Sequence, residues 1–183
     1  MKAHIEKNIF DQKYFDYLQN YFSNHDILNQ NEYQQYGTKR IDSYNDPILK
    51  EAHRKLLNKA REIFKSENIM PSYAIFAEYS GDEAYLDKHH DIGPCTYTID
   101  LCLYQKTSWP FYVENEKYEW EENEALFFYP NDQLHWREEF PEKETNKVGL
   151  IFFSYVEPDH VWLKLTEQQR KSVRDAYNRG KIL

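Results

Sequence analysis

Residues 86–104, LDKHHDIGPCTYTIDLCLY, decide the fold prediction for this chain. The stretch opens with two histidines and an aspartate, passes through a Gly-Pro turn, and ends in a run of alternating apolar and polar residues. Such alternation is typical of a β-strand with one buried face. The histidine-aspartate cluster therefore precedes a strand. The cluster itself has three interpretations: exposed polar residues, acid-base chemistry, or part of a metal site.

The composition limits the classes of function. A chain of 183 residues suits one domain with a sizeable core. The net charge of −8 argues against a nucleic-acid-binding protein and against an anionic membrane surface as partner. No apolar segment approaches the length of a membrane span, and residues 1–15 lack the apolar stretch of a signal peptide. We therefore expect a cytoplasmic protein.

Two helices are predicted in the N-terminal third. Residues 10–22 carry an apolar side chain at every fourth position, which is the spacing of one helical face. Residues 46–64 begin with Asp46 as a candidate cap and Pro47 at a favourable first position. The polar residues 24–45 between them are expected to form a loop or a short strand.

The apolar period changes from 3.6 to 2 after Pro71, which predicts strands. Cys95 and Cys102 would face opposite sides of one strand, so we expect free thiols and no disulfide. Helix returns near the end, where Thr166 and Gln169 match a capping box and Gly180 suits the stop. The predicted strands are 72–80, 96–104, a hairpin over 109–120, 123–130 and 147–156.

This segregated order of elements predicts an α+β fold with a mainly β core, as in a β-sandwich or barrel with helices on one face. We expect a single domain over residues 1–183. In it, residues 1–70 form a helical support, residues 71–157 the β core and residues 158–183 a C-terminal helix.

A metal site is the most specific functional prediction. His89 and Asp91 are two residues apart, so in an extended chain their side chains share a face, while His90 points away. His135 follows another apolar strand, and a sandwich can bring such strand ends together. Two imidazoles and one carboxylate on one face of a metal are the ligand set of non-haem Fe(II) oxygenases.

Residues 73–155 resemble the 2-oxoglutarate/Fe(II)-dependent dioxygenases, particularly the prolyl-4-hydroxylase-like branch. The family pattern has a Tyr, a Gly, a second Tyr, H-x-D, a strand, a distal His and a cation that opens the next strand. The matching residues are Tyr79, Gly81, Tyr85, His89, Asp91, His135 and Lys147. The resemblance implies a double-stranded β-helix, or jelly roll, with the N-terminal helices packed on one sheet.

The resemblance also implies roles. His89, Asp91 and His135 would bind Fe(II), and 2-oxoglutarate would chelate the iron with its distal carboxylate on Lys147. Lys143 is a rival anchor, because the gap between His135 and Lys147 is longer than usual. Tyr79 and Thr98 would hydrogen-bond to the cosubstrate; Thr98 faces the cavity if the odd positions of its strand pack on helices. Oxidation by O2 would hydroxylate an unactivated carbon and yield succinate and CO2.

The substrate is less specified than the chemistry. The catalytic core nearly fills the chain, which favours a small molecule, a free amino acid or a peptide side chain. Arg137 shares the facing of His135 and could pair with a substrate carboxylate or with a neighbouring glutamate. Asp100 could meet a substrate amine or be purely structural. Trp136 could shape the cavity wall or belong to the core. The sequence does not indicate an oligomeric state.

Three other functions fit some of the same residues. A cupin-like metalloenzyme would use a similar barrel and similar ligands without 2-oxoglutarate, and Lys147 would then be structural. A jelly roll that serves as a non-catalytic binding module would not need His135. A metal hydrolase also fits two histidines and one aspartate, with Glu138 or Glu139 as a candidate base.

Overall fold

The structure, a computed structural model, describes residues 2–24, 32–35, 38–80, 84–140 and 147–178, with side chains for 2–23, 40–80, 84–140 and 147–176. The described residues form eleven strands and four helices. The strands are β1 (His4–Glu6), β2 (Glu32–Gln35), β3 (Thr38–Tyr44), β4 (Met70–Ser80), β5 (Leu86–His89), β6 (Tyr97–Gln105), β7 (Phe111–Val113), β8 (Glu116–Tyr118), β9 (Ala125–Phe128), β10 (His135–Arg137) and β11 (Lys147–Val156). The helices are α1 (Gln12–Asn24), α2 (Pro47–Phe64), α3 (Val161–Lys164) and α4 (Glu167–Asn178).

The strands form two antiparallel sheets. The large sheet has the order β1-β9-β6-β11-β4-β3-β2, and the small sheet has the order β5-β10-β7-β8. From β4 onward the chain crosses repeatedly between the sheets, as a jelly roll requires. The predicted double-stranded β-helix is confirmed, and so is the α+β class. Strands β2 and β3 lie in the polar stretch where a loop or short strand was expected, and they extend the edge of the large sheet.

Helices α1 and α2 pack on the outer face of the large sheet. Asp46 caps α2, because its carboxylate accepts from the backbone N–H of Ile48 at 2.8 Å. The core between helices and sheet is fully apolar at its centre, where Leu18, Phe22, Phe76 and Phe153 are entirely buried. Odd positions of β6 point into this core, namely Tyr97, Ile99, Leu101 and Leu103.

A second core fills the space between the two sheets. The large sheet contributes Ala77, Tyr79, Cys102, Leu126 and Leu150, while the small sheet contributes Phe111 and Val113. Thr98, Asp100 and Cys102 of β6 therefore face the interior, as predicted, whereas a register shift near the end of the strand turns Tyr104 towards the helix-facing core. Both cysteines are free thiols, as expected.

Two further predictions about local structure are also met. The hairpin over 109–120 turns at Glu114, which has a positive φ of 56°. Thr166 and Gln169 form the capping box, with reciprocal bonds of 2.8 and 3.3 Å. Gly180 lies outside the described residues. None of the helices that the structure describes is long and apolar enough to cross a membrane.

His53 is an ionisable side chain inside the helix-facing core. It is 3% exposed, and its ring lies 4.5 Å from that of Tyr155 and 5.5 Å from that of Phe153. Burial lowers the pKa of His53 to about 3, against a smaller opposing effect of a hydrogen bond with the backbone of Ser154. The folded protein therefore keeps this imidazole neutral under conditions in which an unfolded chain protonates it.

We expect His53 to make the protein acid-labile. The unfolded chain binds the extra proton below about pH 6.5, so the free energy of unfolding falls with pH from there towards 3, by up to about 1.4 kcal/mol per unit. His53→Phe should remove this contribution while keeping the ring contacts. Urea denaturation of both proteins between about pH 7 and 5 measures it. Parallel pH dependences for the two proteins would contradict the expectation.

Candidate metal centre

The two histidines of the predicted site are direct partners across the small sheet. His89 ends β5 and His135 begins β10, and the register of these strands pairs them. Their ring centroids lie 4.2 Å apart. Asp91 follows β5, and its backbone N–H donates to the carbonyl of Pro130 at 2.9 Å, which ties the turn after β5 to the loop before β10. The structure thus brings all three residues together.

The donor atoms of these residues face one point. The Asp91 Oδ1 atom lies 3.4 Å from His89 Nε2 and 3.7 Å from His135 Nε2. One ligand atom from each side chain lies within 4.8 Å of the other two. This spacing fits three ligands of a single metal ion, with His135 buried and the other two half-buried.

Backbone carbonyls select the tautomer of both imidazoles. His89 Nδ1 lies 2.7 Å from the carbonyl oxygen of Asp87, and His135 Nδ1 lies 2.9 Å from that of Gln133. A carbonyl oxygen only accepts, so each Nδ1 carries the hydrogen, and in the neutral ring each Nε2 presents a lone pair towards Asp91. Carbonyl partners of this kind orient metal-binding histidines. Three converging acceptors need a cation between them, which is the chemical fit expected of a metal site.

Electrostatic interactions among His89, Asp91 and His135, called the triad below, shift the pKa values of Asp91 and His135. Burial opposes ionisation of Asp91, but the imidazoles of His135 and His89, when they carry a second proton, donate to the carboxylate and hold its pKa well below the ordinary value. Burial likewise opposes protonation of His135, yet the Asp91 carboxylate raises the pKa of that imidazole overall. Asp91 is therefore ionised at neutral pH, in the state that a metal ligand needs.

A thiol and several hydroxyl groups lie on the same side of the large sheet as the triad. Thr98 is 5% exposed and faces the interior, as predicted, with its hydroxyl 3.4 Å from that of Ser154. Cys95 Sγ lies 3.6 Å from Asp91 Oδ2. Burial, Cys95 and Asp91 together raise the pKa of the Tyr73 hydroxyl, which places this ring beside the triad. Tyr73 and Ser154 were not predicted as site residues, although the alternation of residues along β4 and β11 points both side chains inward.

Two side chains of opposite charge lie deeper between the sheets. Arg137 is 5% exposed and donates to the backbone carbonyl of Trp109. Its Cζ atom lies 4.5, 4.9 and 5.2 Å from the ring centroids of Trp109, Phe111 and Trp120. Burial lowers the pKa of Arg137 to about 10, so it stays cationic at neutral pH. Asp100 is 4% exposed, and burial raises its pKa to about 7 against the effects of Arg137 and His135.

Tyr79 joins this deeper region. It is 4% exposed, its ring lies 5.2 Å from that of Trp109, and its hydroxyl accepts from Arg40 Nη1 at 2.9 Å. Tyr79 was predicted from the sequence. Arg40 was not, because it lies on β3 within a stretch whose polarity resembles that of a loop.

Lys147 does not reach the triad. It opens β11 on the face that carries Ile151 and Phe153, whereas Val148 and Leu150 point between the sheets. Its side chain is 54% exposed, and its ammonium pairs with Glu78 at 2.8 Å. Glu78 also accepts from Tyr104 at 2.7 Å, whose ring covers Gly149 so closely that a Cβ there would lie 2.4 Å from it. Lys147 is thus held on the outer face of the large sheet.

Trp136 and Lys143 were also predicted to lie near the site. Trp136 lies between His135 and Arg137 on β10 and faces outward. Its ring stacks on that of Tyr112, with the centroids 5.2 Å apart, and the Nζ atom of Lys88 lies 4.4 Å from the Trp136 ring centroid. It does not line the space between the sheets. Lys143, the rival anchor, lies outside the described residues.

Comparisons with known proteins match this chain through its fold. No protein-family model and no curated protein matches the chain. Several solved structures share its fold. A viral collagen prolyl hydroxylase from Paramecium Bursaria Chlorella virus-1, in complex with 2OG, has a TM-score of 0.61 and 14% identity, over 85% of this chain and 97% of that one.

Two bacterial structures agree with it. An oxidoreductase of the 2OG-Fe(II) oxygenase family from Burkholderia pseudomallei has a TM-score of 0.65 and 8% identity, over 84% of each chain. HygX from Streptomyces hygroscopicus, with nickel, 2-oxoglutarate and hygromycin B bound, has a TM-score of 0.63 and 11% identity, over 86% of this chain and 83% of that one. The family resemblance of residues 73–155 is therefore confirmed at the level of the fold: this chain has the double-stranded β-helix of the 2OG-Fe(II) oxygenases.

Proposed function

We propose that this chain is a 2-oxoglutarate- and Fe(II)-dependent oxygenase that hydroxylates an unactivated carbon. The observation that carries the proposal is the convergence of the Nε2 atoms of His89 and His135 on the Asp91 carboxylate. Two imidazoles and one carboxylate leave coordination positions open for a 2-oxo acid and for O2. The shared fold with structures that hold 2OG supports the same reading.

In this proposal His89, Asp91 and His135 hold Fe(II). Bound iron supplies the redox chemistry by which O2 oxidises both the cosubstrate and the substrate. The overall reaction consumes 2-oxoglutarate, O2 and a substrate C–H group, and it yields succinate, CO2 and C–OH. One oxygen atom enters succinate and the other enters the substrate. The four electrons that reduce O2 come in equal parts from the decarboxylation and from the C–H bond.

The protein itself shapes the surroundings of the metal. The rings of Phe111 and Phe128 lie 5.6 and 5.3 Å from that of His135 and exclude water from one side. Thr98 presents a hydroxyl to the same interior from the large sheet. A dry apolar wall next to oriented polar groups strengthens every charge interaction within the site.

The substrate class is a small molecule, a free amino acid or a peptide side chain. The chain covers nearly the whole of the viral collagen prolyl hydroxylase and most of HygX, whose structure contains hygromycin B. Both peptide-type and small-molecule substrates therefore fall within reach of this fold. The partly buried Asp91 and His89 place the reacting centre where such a substrate can approach it. Asp100 remains a candidate partner for a substrate amine.

Metal binding should depend on the triad and not on its neighbour. We expect His135→Ala and Asp91→Ala each to weaken Fe(II) binding by at least about 10- to 100-fold, because loss of even an indirect partner of a metal ligand has that effect. His90→Ala removes an exposed imidazole beside the triad and should leave the affinity unchanged. Anaerobic calorimetric titration with Fe(II) measures all three. Equal loss in His90→Ala would argue for a different ligand set.

Turnover should require the same residues. With Fe(II), 2-oxoglutarate and O2, we expect the wild-type protein to form succinate slowly, and faster when a true substrate is added. Asp91→Ala should reduce this succinate by more than about 100-fold, since the reaction needs the intact facial triad. Quantifying succinate against a panel of amino acids, peptides and small metabolites measures the rate and searches for the substrate.

The outcomes of these two experiments separate the alternatives. Iron binding without any use of 2-oxoglutarate would favour a cupin-like metalloenzyme. Absence of metal binding in the wild-type protein would favour a non-catalytic binding module. Metal-dependent hydrolysis without O2 consumption would favour a hydrolase.

A further inference from the structure

The interior between the sheets contains a buried cation, the Arg137 guanidinium. Among the residues that the structure describes, no carboxylate oxygen lies within 4.0 Å of the Arg137 guanidinium. Its surroundings are a backbone carbonyl and three aromatic rings. Aromatic faces attract a cation, but they do not replace the hydration and counter-ion that a guanidinium loses on burial. An anionic ligand would supply the missing charge.

Asp100 does not fill that role. It faces the same interior and is 4% exposed, yet within the described part of the chain its Oδ1 atom has no hydrogen-bond partner. A buried guanidinium without an ion pair and a buried carboxyl oxygen without a hydrogen-bond partner are both expensive for folding. Such a pair is expected where a ligand with its own charge or polar groups occupies the space between them.

Arg137 lies at a favourable distance from the metal centre. It follows His135 by two residues on β10, so both side chains face the interior and their Cα atoms are about 7 Å apart along the strand. The five-carbon chain of 2-oxoglutarate has a similar length. A 2-oxo acid whose head chelates the metal beside His135 would therefore place its distal carboxylate near Arg137.

Tyr79 supplies a second donor at this depth. Its hydroxyl oxygen accepts from Arg40 at 2.9 Å, which leaves the hydroxyl hydrogen to be donated to an anion. Its ring packs edge-on against Trp109, the same ring that covers Arg137. A carboxylate at this position would meet a guanidinium and a hydroxyl within one apolar enclosure, where charge-assisted hydrogen bonds are strong.

We infer that Arg137, assisted by Tyr79, anchors the distal carboxylate of the 2-oxo acid cosubstrate, and that Lys147 does not. The inference rests on the proposed function and changes the role of two residues. Arg137 becomes a cosubstrate ligand on β10, where the sequence had indicated a substrate ligand. Lys147 becomes a structural residue whose ammonium pairs with Glu78 on the outer face.

The test compares two acids that differ only at the far end. 2-Oxoglutarate and 2-oxopentanoate share the chelating head and chain length, but the second ends in a methyl group. Each is titrated anaerobically into the Fe(II)-loaded protein, and the visible charge-transfer band of the chelate reports its dissociation constant. The proteins are wild type, Arg137→Met, Arg137→Lys and, as a matched control, Lys147→Gln, which keeps a donor for Glu78.

We expect wild type to bind 2-oxoglutarate about 10- to 100-fold more tightly than 2-oxopentanoate, the range for one strong charge-assisted contact. Arg137→Met should abolish this preference by weakening 2-oxoglutarate alone, with 2-oxopentanoate and Fe(II) affinity unchanged. Arg137→Lys should keep part of it, because the charge remains and the planar fork is lost. Lys147→Gln should keep all of it. Unchanged Fe(II) affinity in each variant shows that the metal site is still folded.

Three results would overturn the inference. Loss of the preference in Lys147→Gln, with Arg137→Met unaffected, would return the anchor to β11. A wild-type protein that binds both acids equally would show that the interior has no site for the distal carboxylate. A wild-type protein that gives no band with either acid would overturn the proposed function, and the inference with it.

Discussion

The register between β5 and β10 is the constraint on which the candidate site depends. Pairing His89 with His135 puts both imidazoles on one face of the small sheet, and a slip of one residue would turn one of them outward. A register shift separates this pair from the next one, Arg137 with Leu86, and both of those side chains pack into the interior. The rings of Phe111 and Phe128 then hold His135 in place. Apolar packing thus determines how the three candidate ligands are arranged.

Much of this arrangement could be predicted from residue spacing. The alternation of β6 gave the correct inward facing for Thr98 and Asp100, since its odd residues are large and apolar and pack on the helices. The two-residue spacing of His89 and Asp91 gave the correct shared facing of these two side chains. Both predictions succeeded because period 2 is a local property of an extended chain and needs no knowledge of distant partners.

The same rule explains the two residues that the structure places elsewhere. Lys147 precedes Val148 and Leu150, so an inward facing for these apolar residues turns the lysine outward; the family pattern had assigned it without regard to facing. Trp136 stands between two inward side chains and cannot share their face. Arg40 is different. It reaches Tyr79 through the pairing of β3 with β4, a contact across 39 residues of sequence that no local pattern contains.

The division of the molecule into two cores shows how the fold tolerates charges in its interior. Burying Arg137 and Asp100 without a mutual ion pair lowers the stability of the space between the sheets. The core between the helices and the large sheet contains the largest fully buried apolar side chains, among them Phe22, Phe76 and Phe153. Their burial stabilises the large sheet from its other face, at about 1.5–3 kcal/mol for each such side chain. Because the helices stabilise one face of the sheet, the other face is free to present polar groups to a ligand. A ligand that neutralises Arg137 would therefore increase stability as well as bind, since it offsets the free-energy cost of burying that charge.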